Sequence, residues 1–323
     1  MGPGVSGDGE GAPRLSIIVP TLNRDEVLCQ TLEGLLRQEC PSYEVLVVDQ
    51  SDGHTAATLA FLEAHRGRIR RVVSTERGLP RARNLGARHA RGAVLLYCDD
   101  DVVPSSGLAR AHLEAYHDPR VGMVAGRILL PGQPVDPSPN DARVLPNGRY
   151  VNNFSSTVPG YVEAAHGCNF SCRREAFLAV GGFDERFTGN AYWEDTDFSF
   201  RVRRAGYLIR YEPRALVLHL LFPTGGCRTR TKTEWYRYSM RNHTLFFLQN
   251  MPKRYLPLFL LTQLSMGVRC VRASRGAPSS VVTPPLAVLE GTLAYLRGRR
   301  ARPATEAPEA WGEGVEVERP TAG

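Results

Sequence analysis

Residues 93–101 read AVLLYCDDD. A short apolar run bounded by polar residues is the pattern of a strand buried on both faces of a sheet. Three adjacent carboxylates at its end raise one another's pKa and destabilise the fold unless something neutralises them. A hard divalent cation, taking oxygen ligands from protein and substrate phosphates, does this. Placement near a helix N-terminus also favours acidic groups, but the strand directly before the cluster weighs against that explanation.

Working outward, residues 15–20 (LSIIVP), 43–49 (YEVLVVD) and 69–74 read as three further strands. Segments 25–37, 55–65 and 79–89 between them read as helices, the first with Val27, Leu28, Leu32, Leu35 and Leu36 at helical intervals and the last carrying several arginines. Downstream, a helix is expected at 106–116, a strand at 121–129, a long irregular insertion over 131–160, a short helix at 174–180 and a helix at 192–205. Short strands are expected at 208–210 and 215–219. Strands that alternate with helices and are continuous apolar runs predict an α/β fold with a mostly parallel central sheet flanked by helices. Ligands in such sheets sit beyond the carboxyl ends of the strands. Asp49, Asp99, Asp100 and Asp101 occupy those ends. The first half carries no GxGxxG after a strand, no GxxxxGK[ST] and no GxSxG, the signatures of dinucleotide, P-loop and nucleophile-elbow chemistry.

The chain has 323 residues, 42% hydrophobic and 23% charged, which excludes global disorder and a multispanning membrane protein. Seven cysteines without a dense framework predict a reducing, cytoplasmic setting. The formal net charge is +7, but residues 221–300 hold 13 Lys or Arg against Glu234 and Glu290, a local net of +11, which leaves −4 for the rest. These basic residues are scattered among apolar ones, and no nucleic-acid-binding spacing is present. An anionic membrane surface is the other explanation, with a homodimer interface built from residues 256–264 as its competitor. The apolar stretch 255–268 is too short to span a bilayer, since about 20 residues are required. Residues 1–14 and 301–323 are expected to be disordered tails, with a catalytic domain at 15–222 and a basic helical region at 223–300.

A second acidic cluster is Glu194, Asp195 and Asp197. Glu194 and Asp197 share one helical face, with Asp195 about 100° away. A partly buried carboxylate there could act as a general base. His219 ends an apolar run and could offer an imidazole to the cation at the first cluster. Arg77, Arg81 and Arg83 surround Gly78 and Asn84, and arginines facing a crevice can bind a diphosphate.

In order along the chain stand LSIIVPTLNR, YEVLVVDQSD, GLPRARNLGARHARG, LLYCDDDVVP, GCNFSCRREAFLAVGGFDERF and WEDTDFSFRVRRAGY. Together these resemble the inverting glycosyltransferases of family 2, with the nucleotide-sugar-binding GT-A fold, over residues 15–219. The resemblance implies that Pro20, Thr21 and Asn23 lie in the nucleotide-binding loop and that Asp49, with Asp52, contacts the base or its ribose. Arg83 and Asn84 match the third motif. Asp99 and Asp101 match the outer aspartates of the DxD site, Asp101 as direct metal ligand and Asp99 or Asp100 nearer the ribose or sugar. Asp195 matches the catalytic base, Glu194 is the adjacent alternative, and His219 resembles a metal-ligating histidine of some members. Residues 231–300 bear a looser likeness to the tails of rhamnosyl- and polysaccharide-type transferases.

The implied reaction moves a sugar from UDP, GDP or dTDP to an acceptor hydroxyl by one inverting displacement, with Mg²⁺ or Mn²⁺ as cofactor. The acceptor could be a lipid-linked glycan or a small natural product. A non-catalytic nucleotide-sugar or glycan-binding protein and a nucleotidyltransferase are the alternatives. The expected location is the cytoplasm, with peripheral contact to the membrane face if the basic region binds lipid.

Overall fold

The computed structural model describes residues 14–275 and 277–300. The tails expected at 1–14 and 301–323 thus lie, Arg14 excepted, outside the described residues. The strands are β1 (Leu15–Thr21), β2 (Tyr43–Asp49), β3 (Ile69–Val73), β4 (Val94–Cys98), β5 (Val102–Pro104), β6 (Val121–Leu129), β7 (Arg143–Val144), β8 (Tyr150–Val151), β9 (Gly160–Tyr161), β10 (Asn169–Arg173) and β11 (Leu208–His219). The helices are α1 (Glu26–Leu36), α2 (Ala56–Ala64), α3 (Leu79–His89), α4 (Leu108–Glu114), α5 (Arg174–Ala179), α6 (Glu194–Arg204), α7 (Lys232–Asn250), α8 (Leu256–Ala273) and α9 (Pro278–Arg300).

The main sheet runs β3-β2-β1-β4-β10-β6-β11-β5, with β9 also paired to β11. β1, β2, β3 and β4 are parallel, as their apolar runs predict. β10 enters antiparallel between β4 and β6, and β6 and β11 then run parallel to each other. Hence β1, β2, β4, β6 and β11 all end at one sheet edge, and β10 begins there. That placement brings Asp49, Asp99 and His219 to one edge together with the turn before β10.

Every residue of β1 is buried, and β4 is buried throughout. α1 buries Leu28, Leu32, Leu35 and Leu36 in the core of this sheet, which is the one-sided apolar stripe expected of a covering helix. α3 lies closer still. A Cβ on Gly86 would stand 2.4 Å from Ile18 Cγ2, so only glycine permits this approach.

Three expectations change. The two short strands placed at 208–210 and 215–219 are one strand, β11, with an irregular register between Glu212 and Leu216. Its polar middle, including buried Glu212, hid the continuity. The insertion over 131–160 contains the small β7–β8 hairpin. The helix placed at 192–205 begins at Glu194, because Trp193 adopts a left-handed backbone with φ 77°.

The basic region is three packed helices, α7, α8 and α9, and α7 also packs on α6. Phe187, Leu245, Phe246, Val144 and Ala294 form a second small core that joins the helices to the loops around the site. Thr231 caps α7 by accepting from the Glu234 amide at 3.1 Å.

Candidate active site

β4 delivers Asp99 and Asp101, and β11 delivers His219. One ligand atom from each lies within 4.8 Å of the others. His219 Nε2 is 3.2 Å from Asp101 Oδ1 and 3.9 Å from Asp99 Oδ2. The other oxygen of Asp101, Oδ2, accepts from the Phe222 amide at 2.9 Å and pairs with Arg24 Nη1 at 2.9 Å. The protein therefore holds one oxygen and leaves Oδ1 facing the histidine. Burial opposes ionisation of Asp101, but hydrogen bonding and charge from His219, with the charge of Arg24, outweigh it and bring its pKa to about 2. Burial likewise opposes the His219 cation, yet the bond to Asp101 and the charges of Asp99 and Asp101 raise its pKa. Two carboxylates and an imidazole at this spacing suit a divalent cation, whose charge would take the place of the histidine proton.

Asp100 has a different place. Thr21 Oγ1 donates to its Oδ2 at 2.6 Å and Arg24 Nη1 to its Oδ1 at 2.6 Å. Burial pushes its pKa up to about 6 against these partners. It fastens β1 to the strand end and is not among the three clustered ligand atoms. Arg24 was not singled out by the sequence reading. It is the last residue of the quoted LSIIVPTLNR, and its burial beneath two aspartates gives no signal in composition.

The second acidic cluster meets the first through Arg83. This buried guanidinium pairs with Glu194, donates to the Gly167 carbonyl at 2.8 Å and lies 3.6 Å from Asp99 Oδ1. Burial pushes the Glu194 carboxyl up to about 8, with Arg83 opposing. Asp195, half-buried, accepts from the Gly167 amide at 2.7 Å through Oδ2 and from the Thr196 amide at 2.6 Å through Oδ1. A Cβ on Gly167 would sit 2.9 Å from Arg83 Nη2 and 3.2 Å from Asp195 Oδ2, so any side chain there would wedge the two apart. Asp197 turns elsewhere, pairing with Arg201 at 2.8 Å and accepting from Asn250 at 2.7 Å.

A cavity of about 470 Å³ is lined among others by Pro20, Gln50, Arg77, Arg81, Cys227 and Thr21, whose hydroxyl bonds Asp100. Asn23 and Asp52 are exposed and bind each other across the two strand-end loops, Asp52 N donating to Asn23 Oδ1 at 3.0 Å. Asp49 is buried behind them and accepts from Arg71 at 2.7 Å and the Ser51 amide at 2.9 Å, with His54 Nε2 at 2.8 Å. Asn84 clamps the loop after α5: its amide donates to the Phe183 carbonyl at 3.0 Å, and the Phe183 amide donates back at 2.8 Å. Arg77 and Arg81 face the cavity but are paired with Asp52 and Glu76, whereas Arg83 lies under Asp99.

Residues 16–181 match glycosyl transferase family 2, a span that includes β1 to β6, the DDD segment, Gly167 and β10. The chain belongs to this family. Pre-mycofactocin glycosyltransferase of Mycobacterium tuberculosis is 31% identical over 218 residues, covering 64% of this chain and 42% of that protein. This chain therefore spans under half the length of that relative. The mannosyltransferase PcManGT from Pyrobaculum calidifontis, solved with GDP-Man and Mn²⁺, shares the fold at a TM-score of 0.52 and 19% identity, over 90% of this chain and 76% of that one. GalNAc-T7, solved with UDP, GalNAc and Mn²⁺, shares it at 0.56 and 17% identity, over 74% and 50%. As a family 2 member the chain has a GT-A-like architecture, with Asp99, Asp101 and His219 as its DxD-like cluster.

His166, one residue before Gly167, is the other position the sequence reading passed over. Its Nδ1 is buried without a hydrogen-bond partner, and its ring packs edge-on to Phe154 with centroids 5.8 Å apart.

Proposed function

We propose that this protein transfers a sugar from a nucleoside diphosphate to an acceptor hydroxyl by a single inverting displacement. The observation that carries the reading is the convergence of Asp99, Asp101 and His219 with Asp195 at one sheet edge, tied together by Arg83 and Gly167. The donor's diphosphate would occupy the cavity rimmed by Pro20, Thr21, Arg77 and Arg81.

Asp99, Asp101 and His219 would hold Mn²⁺ or Mg²⁺, which supplies neutralisation of the charge that builds on the leaving diphosphate. Asp195 takes the acceptor proton while the acceptor oxygen attacks from the face opposite the leaving group. The Gly167 amide fixes one Asp195 oxygen, so the carboxylate is oriented before substrate arrives. Glu194 is a poor substitute as base, because it is buried and committed to Arg83. Arg83 keeps Asp99 and the Asp195 turn in one frame. With the proton received by Asp195 and a nucleoside diphosphate released, no covalent enzyme intermediate is needed.

The acceptor's class is a separate matter. A lipid-linked glycan and a small aglycone present the same hydroxyl chemistry. Calorimetric titration of UDP, GDP and dTDP, each with and without Mn²⁺, tests the reading. Metal-dependent binding of one nucleotide is expected. Metal-independent binding, or none, would overturn the assignment of the aspartate cluster.

A further inference from the structure

Twenty large hydrophobic side chains are exposed among the described residues, and eleven of them lie on α8 and α9. They are not scattered. On α9, Val282, Leu286, Leu289, Leu293 and Leu296 recur at intervals of four and three residues, a single stripe. On α8, Leu261, Leu264 and Val268 recur in the same way, and Leu261 and Leu264 are 63% and 67% exposed. The opposite flank of each helix is buried: Phe259, Gln263, Gly267 and Cys270 on α8, and Ser280, Thr283, Ala287 and Ala294 on α9. Each helix therefore has a packed side and a bare apolar side.

Charge decides what covers the bare side. Arg269, Arg272, Arg275 and Arg297 are exposed around the two stripes. The only carboxylate in either helix, Glu290, is already paired with Arg237. A second copy of this face would bring like charges together with no acidic partner. An anionic lipid surface offers both an apolar layer for the leucines and phosphates for the arginines. No helix among the described residues is long and apolar enough to cross a membrane, so the pair would lie in the interface.

We propose that α8 and α9 form an amphipathic platform that lies on an anionic lipid leaflet, with the leucine stripes in the acyl boundary and the arginines at the headgroups. The inference is independent of the reaction assigned above. It is tested on the full chain by sedimentation with vesicles of phosphatidylcholine alone or mixed roughly three to one with phosphatidylglycerol. Sedimentation about tenfold stronger with the anionic vesicles, weakening as salt shortens the range of charge, is expected. Leu264→Glu with Leu289→Glu should abolish it at an unchanged thermal midpoint, since both side chains are already in water. Arg272→Glu with Arg297→Glu should remove the salt dependence. No sedimentation at low salt, or equal sedimentation of the leucine variant, would overturn the proposal. So would a concentration-dependent dimer in the ultracentrifuge that the leucine variant dissolves while neither protein binds vesicles; a second copy would then be the occupant.

Discussion

The Trp193 indole lies flat on the His243 imidazole, with ring centroids 4.3 Å apart and planes within 1°. Trp193 immediately precedes the acidic cluster on α6, and His243 belongs to α7. His243 is itself fixed, donating through Nε2 to the Gly148 carbonyl at 2.8 Å and accepting through Nδ1 from Gln263 at 3.0 Å. Trp193 holds a left-handed φ of 77°, which a side chain this large adopts only under constraint. The C-terminal helices are thus a buttress for the turn that aims Asp195.

His243→Ala removes the stack and leaves the Gly148 carbonyl and Gln263 unpartnered. A loss on the order of 2–4 kcal/mol is expected from chemical denaturation. At temperatures where the variant stays folded, kcat should fall while nucleotide affinity holds. An unchanged kcat in folded protein would show that the stack supports the fold alone.

Asp101 and Asp195 should separate cleanly. Asp195→Asn keeps an oxygen for the Gly167 amide but cannot take a proton. Turnover should drop by about 10²–10⁴ with metal-dependent nucleotide binding retained. Asp101→Asn should lose the metal dependence of binding itself. Loss of nucleotide binding in the Asp195 variant would move that residue to the donor site.

The parallel half of the sheet was legible because β1, β2 and β4 are unbroken apolar runs. Asp99 and Asp101 were legible because a strand leads straight into them. His219 was legible as the end of a strand, because it follows the apolar run ALVL. Arg83 was readable only as one of three arginines near a turn. That it, and not Arg77 or Arg81, is buried under both acidic clusters depends on β10 entering antiparallel beside β4, which brings Gly167 to the edge. Arg24 and His166 depend on the same non-local pairings. The basic region read as helical from its own sequence, but the contact between Trp193 and His243, which spans two elements with no shared motif, was not legible there.

The His166 ring carries an unpaired buried nitrogen, which costs roughly 1–3 kcal/mol. Burial lowers its pKa, which favours the neutral ring. The charge of Asp195 acts on this ring, so a catalytic part for His166 can be tested against a packing one. His166→Phe should leave the thermal midpoint unchanged or raised, because the apolar ring suits the contact with Phe154 and removes the orphan. It should lower kcat/KM by about tenfold. A lowered midpoint with normal kcat/KM would mean that the imidazole serves packing only.

His112 sets a pH dependence of its own. Asn169 donates to the Arg127 and Ala215 carbonyls at 2.9 and 2.8 Å, so its oxygen must accept from His112 Nε2 at 2.9 Å. His112 Nδ1 then accepts from Ser171, which accepts in turn from Tyr116 at 2.8 Å. The buried ring is satisfied only when neutral, and burial lowers its pKa from 6.5 to about 4. Between those values the unfolded chain holds a proton there that the folded chain does not, so this residue's contribution falls as pH falls. The full loss by pH 4 is roughly 3 kcal/mol. Glu194 and Asp100, whose folded pKa values are raised, act with the opposite sign over an overlapping range, so the wild-type slope alone does not isolate His112. The difference between wild type and His112→Gln does. The variant should be less stable at neutral pH, having lost the ring's fit, and should close that gap by about 3 kcal/mol on going to pH 4. Urea denaturation at several pH values measures it, and a gap that stays constant would show that His112 does not titrate between the two states.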